Sequence, residues 1–63
     1  MLALRVINCS DPMMWYQDLV GEIVPFVNDD GFSFWSRERC GFINTVQYCD
    51  AELVDITEHE TVQ

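Results

Sequence analysis

Three cysteines, one histidine, a few serines and eleven acids are the residues of this 63-residue chain equipped for chemistry. Cys9, Cys40, Cys49 and His59 are all zinc-ligand types. No C-x-x-C or H-x-x-x-H pair brings two of them onto one turn, so no metal site is expected. A cysteine nucleophile would be expected within a Gly-x-Cys-x-Gly or Cys…His pattern, and neither occurs. Ser10, Ser33 and Ser36 have no base nearby in sequence, and His59 lies close to the end. Asp29-Asp30 lacks the D-x-D-x-D-G spacing of a calcium loop. Gly21, Gly31 and Gly41 stand alone, so no glycine-rich loop exists to cradle a phosphate. The expectation is a protein with no catalytic residues, no metal and no cofactor.

The remaining chemistry is that of binding. The formal net charge is -8, with Arg5, Arg37 and Arg39 the only cations and no lysine. A nucleic-acid-binding domain needs a basic patch to displace counterions from phosphate, so direct DNA or RNA binding is not expected. Attachment to an anionic membrane is disfavoured for the same reason. The charge suits a protein partner with a basic surface, including one whose groove normally holds nucleic acid. Eight aromatics are available as core or as anchors. Trp and Tyr are favoured hot-spot residues at interfaces. Trp15 and Tyr16 are adjacent, so an extended segment cannot point both inward. Phe34 and Trp35 are adjacent too, and Trp35 with Phe42 and Tyr48 is expected to contribute to an apolar surface patch. The candidate partner-binding residues are therefore Tyr16, Trp35 and Trp15, framed by Asp29 and Asp30.

These side chains must be held by short strands. Residues 2–8 alternate with period two, Leu2, Leu4 and Val6 on one face and Ala3, Arg5 and Ile7 on the other. Ser10-Asp11-Pro12 ends that strand. Residues 13–20 read as a long loop, with at most one helical turn, whose aromatics fold over the core. Residues 22–28 form a second strand, which Pro25 confines to an edge. Asp30-Gly31 between two apolar runs signals a hairpin turn. Residues 32–36 return, with Phe32 and Phe34 on one face. Residues 42–48 form a fourth strand with Phe42, Val46 and Tyr48 on one face. A short 3₁₀ turn over 49–52 precedes a closing strand, 53–56. The domain is thus 1–56, and 57–63 is an acidic tail expected to fray. Three cysteines argue against a closed disulfide framework, and free thiols in a reducing compartment are expected. Met1–Cys9 is too short for a signal-peptide apolar region, and no run approaches the ~20 apolar residues of a membrane span, so a cytoplasmic location is expected.

Trp15-Tyr16 followed by Val20-Gly21-Glu22, then Gly41-Phe42-Ile43-Asn44 with Val46, then Asp50-Ala51-Glu52-Leu53-Val54, resemble the small SH3-like barrel proteins of bacteriophages and prophages. The resemblance covers residues 2–55. It implies an all-β, five-stranded SH3-like barrel with a long first loop and a short 3₁₀ turn before the last strand. It brings no active site with it. The function expected is a non-enzymatic protein-binding module, a phage- or prophage-encoded modulator of a host protein that acts by covering its surface. Two alternatives remain: an acidic nucleic-acid mimic, and a structural component that forms a homodimer or joins a larger assembly.

Overall fold

Strand β1 (Leu2–Val6) is the middle of a three-stranded antiparallel sheet in the computed structural model, which describes residues 1–56. It is flanked by β2 (Ile23–Pro25) and by β6 (Ala51–Asp55). A second antiparallel sheet holds β3 (Asn28–Asp29), β4 (Phe34–Arg37) and β5 (Ile43–Val46) in that order. Two 3₁₀ turns, Gln17–Leu19 and Tyr48–Asp50, complete the described elements. The protein is all-β, and no helix among the described residues is long and apolar enough to cross a membrane.

The period-two pattern of β1 works as expected in its centre. Leu4 and Val6 are fully buried, and Arg5 between them is exposed. Ala3 breaks the simple two-faced picture: it is buried too, between Pro25 and Val54 on the neighbouring strands. Leu2, at the strand end, stays about half exposed. Middle position in the sheet, rather than face alone, decides what is covered.

The second expected strand is divided. β2 stops at Pro25, and the Val27 N–H donates to the Trp35 carbonyl of the other sheet at 2.8 Å. One segment therefore serves both sheets, with Phe26 and Val27 at the corner. The strand count is six instead of five, and the two sheets are not joined into one closed ladder. The Val6 N–H to Glu22 O bond (3.0 Å) fixes the pairing phase of β1 with β2. By the antiparallel alternation, Leu4–Val24 is a bonded pair and Pro25 sits at a non-bonded position. Its missing donor thus faces the open edge, as the edge assignment requires.

The core between the sheets is small. Leu4, Val6, Tyr16, Val24, Val46 and Ala51 form it, with Met14, Trp15, Phe26 and Phe34 packed around it. Phe32, expected to share a strand face with Phe34, is 87% exposed, and Phe42, expected in a surface patch with Trp35 and Tyr48, is 72% exposed. Each follows a turn glycine, Gly31 or Gly41, and the strands begin only after them. The expected frayed tail, 57–63, lies outside the described residues.

Gly31 has φ +90° and nothing within 4 Å of where a Cβ would stand. Gly31→Ala is therefore expected to cost about 1–3 kcal/mol through backbone strain alone. Chemical denaturation of the variant beside the parent checks this; an unchanged midpoint would show that the turn relaxes freely.

Candidate functional site

Tyr16 is the largest fully buried side chain. Its hydroxyl donates to Asp50 Oδ2 at 2.5 Å, inside the core. Asp50 is itself fully buried, at the end of the second 3₁₀ turn. The Ser10 N–H donates to both of its carboxylate oxygens (3.1 and 3.2 Å), and Ser10 Oγ donates to Oδ2 at 3.0 Å. Its carbonyl accepts the Ile7 N–H at 2.8 Å. Burial alone would push the Asp50 carboxyl up. The Tyr16 hydroxyl and the Ser10 donors outweigh burial and hold it below the usual carboxylate range. Burial, reinforced by donation to Asp50, pushes the Tyr16 hydroxyl above the ordinary tyrosine range. Tyr16 is therefore a core residue and not a partner anchor, which corrects the expectation for this position. A buried aromatic with a polar tip needs an acceptor, and Asp50 provides it.

Trp15 closes over the same core. Its ring meets Tyr16 edge-on, with centroids 5.5 Å apart, and its Nε1–H donates to the Thr45 carbonyl at 2.8 Å. It is half-buried and pinned between the first loop and β5.

The remaining candidates gather on the hairpin between β3 and β4. Asp29 Oδ1 accepts the Gly31 N–H at 2.9 Å and also the Tyr48 hydroxyl. Asp30 Oδ1 accepts the Phe32 and Ser33 N–H groups at 2.8 and 2.9 Å. Asp30 Oδ2 accepts the Trp35 indole N–H at 2.7 Å. That indole donor, followed by the Ser33 and Phe32 amides, holds the Asp30 carboxyl below its usual range. Donation to Asp29 raises the Tyr48 hydroxyl. Tyr48 also packs edge-on against Phe34 at 4.8 Å, and Phe34 against Phe26 at 6.4 Å. A line of aromatics thus ties the acidic turn back to the core, and Phe32 projects from its tip. The arrangement is a stiff, negatively charged knob with one bare aromatic ring.

Sequence reasoning found Trp35, Asp29 and Asp30, and the fold brings these three together. It separates them from Trp15 and Tyr16, which belong to the core. Sequence reasoning missed Phe32, which it placed on the return strand: the Asp30 N–H to Ser33 O bond (3.3 Å) puts Phe32 inside the turn. Tyr48, expected on a surface patch with Trp35 and Phe42, is brought beside the hairpin by its hydroxyl bond to Asp29.

All three cysteines are free thiols. Cys9 Sγ donates to the Asp11 carbonyl at 3.0 Å, and Cys49 lies 3.7 Å from Asp50 Oδ1. No group of three or more His, Cys, Asp or Glu side chains positioned for a metal occurs among the described residues. His59 lies outside them. No family model, curated protein or solved structure matches the chain.

Asp50 has a depressed pKa, so its contribution to stability is present above its unfolded-state pKa, near 3.9, and is lost as pH falls through the folded value. Tyr16→Phe removes the strongest donor to it. The variant is expected to lose about 1–3 kcal/mol at neutral pH and to unfold in acid at a higher pH than the parent. Circular dichroism across an acid series reads both effects; parental acid behaviour would mean that the Ser10, Asn8 and Cys49 donors satisfy the carboxylate without Tyr16. On the hairpin, Trp35→Phe is expected to raise the Asp30 pKa toward the ordinary value. A carboxyl-carbon NMR titration measures it, and an unmoved pKa would assign the shift to the backbone amides.

Proposed function

We propose that this chain is a non-enzymatic protein-binding module that acts by covering part of a partner's surface, with the β3–β4 hairpin as the docking element. One observation carries the reading: Phe32 is 87% exposed at the tip of a turn whose two carboxylates are already immobilised. A ring held bare on a pre-ordered turn costs little further conformational entropy on docking. Asp29 and Asp30 beside it favour a partner with a basic rim around an apolar cleft. Trp35 stiffens this surface from behind.

The SH3-like assignment is part of the same proposal. The short antiparallel strands, the long first loop and the pairing of the first strand with the last support it, together with the 3₁₀ turn before β6. On this reading the two sheets are a splayed form of such a barrel. The narrower role, a phage- or prophage-encoded modulator of a host protein, rests on the resemblance in the sequence. An acidic decoy for a nucleic-acid-binding protein is the second reading, favoured by the net charge of -8.

Salt separates the two. Pulldown with the tagged chain from bacterial lysate is expected to retain one partner through a high-salt wash, because apolar docking is weakly screened. Phe32→Ala is expected to lose that partner while its unfolding midpoint stays parental, since the ring packs against little. Retention of the partner by Phe32→Ala would sink hairpin docking. A nucleic-acid enzyme that elutes as salt rises would favour the decoy.

A further inference from the structure

Two three-stranded sheets have four edges, and an open edge is a row of unpaired N–H and C=O groups that can accept another strand. Three of the four are short or interrupted. β2 presents Pro25, which has no N–H to offer, at an outward position. β3 is two residues long. On β5, the Glu38 N–H to Phe42 O bond (2.7 Å) sets the phase, so Thr45 points its N–H and C=O outward. Both Thr45 groups are occupied: Asn44 Oδ1 accepts the N–H at 2.8 Å, and Trp15 Nε1–H donates to the carbonyl at 2.8 Å, so within β5 only Ile43 faces outward without a backbone partner among the described residues.

β6 is different. The Ile7 N–H to Asp50 O bond and the Ile56 N–H to Met1 O bond (both 2.8 Å) set its pairing with β1. Glu52 and Val54 thus bond inward to β1, and the N–H and C=O groups of Leu53 and Asp55 face away from the sheet. They have no backbone partner among the described residues. Both residues are exposed. β6 is five residues long, so it offers a strand-length template with no proline or bulge and with no cover among the described residues.

We propose that the open edge of β6 binds an extended basic segment of a partner protein by antiparallel strand addition. Main-chain hydrogen bonds to Leu53 and Asp55 would supply affinity, and side-chain neighbours would supply choice. The occupant follows from charge. A second copy would bring -8 against -8. A strand with lysine or arginine facing Glu52 and a β-branched residue facing Leu53 meets attraction on one face and apolar surface on the other. Arg5 already pairs with Glu52 at 3.1 Å, and the Met1 ammonium with Asp55 at 2.9 Å. Both pairs are exposed and so are weak competitors for a second cation. The inference deepens the protein-binding reading by naming the binding mode and the partner's chemistry.

The test is an NMR titration of the full chain with a blocked peptide of alternating valine and lysine. The Leu53 and Asp55 amides are expected to shift and to become protected from hydrogen exchange, while the already bonded Val54 amide changes little. The same peptide with glutamate for lysine is expected not to bind. A chain of this length is open to chemical synthesis, so Leu53 can carry an N-methyl group that removes its outward donor and leaves its side chain intact. That chain is expected to bind the peptide about tenfold more weakly. N-methylation of Ile23, which faces outward on the short β2 edge, is expected to leave affinity unchanged. Equal binding of the glutamate peptide would overturn the proposal, as would shifts confined to the hairpin. Concentration-dependent shifts of Leu53 and Asp55 without peptide would overturn it in favour of self-pairing. If the peptide ignores β6 while Phe32→Ala still abolishes partner capture, strand addition falls and hairpin docking stands.

Discussion

The Tyr16 hydroxyl bonded to the Asp50 carboxylate is the contact on which the rest of the structure depends. A 63-residue domain buries little surface, and Tyr16 is its largest wholly buried side chain. Burying that ring is favourable only if its polar tip is satisfied. Burying Asp50 is tolerable only because Tyr16 and Ser10 converge on it. The same carboxylate residue receives the chain at Ile7 through its carbonyl and leads directly into β6. The first loop, the end of β1 and the start of β6 therefore meet at one residue. The cost of a buried charge is set against order at three points of the chain.

From that centre the molecule manages its edges one at a time. Trp15 meets Tyr16 edge-on and, in the same pose, covers the Thr45 carbonyl on β5. Pro25 is the last residue of β2 and removes one donor from that edge. Asp29 and Asp30 collect the amides of their own turn, so the hairpin is ordered by its carboxylates instead of by length. Acidic residues that look like plain solubilising charge in composition are thereby divided. Asp50 is structural, Asp29 and Asp30 shape a turn, and Glu52 and Asp55 flank an open strand.

Among the described residues, the hairpin tip with Phe32 and the outward backbone of β6 are two surfaces without an internal role. They differ in kind. The tip offers side chains, an aromatic ring beside fixed negative charge. The β6 edge offers main-chain groups, whose geometry any extended segment can meet. On the proposed protein-binding reading either or both can be used, and the shared negative charge favours basic partners.

Local signals settled much of this before any tertiary contact. Alternation in residues 2–6, the edge role of Pro25, the Asp30-Gly31 turn and the acidic hairpin follow from single residues and their neighbours. These rest on backbone dihedrals, missing donors and period-two geometry, which act over two to four residues. The fate of Tyr16 was not legible, because Trp15 and Tyr16 are both large, amphipathic and adjacent. The choice between them was made by Asp50, thirty-four positions away. Nor was the split of the second strand visible, since it depends on Val27 finding Trp35 in another sheet. The sequence by itself determined an all-β chain with an acidic, aromatic surface. Only the tertiary structure decided which aromatic was core, which acid was buried and which strand edge was left open. Those outcomes depend on partners far apart along the chain, which no local pattern encodes.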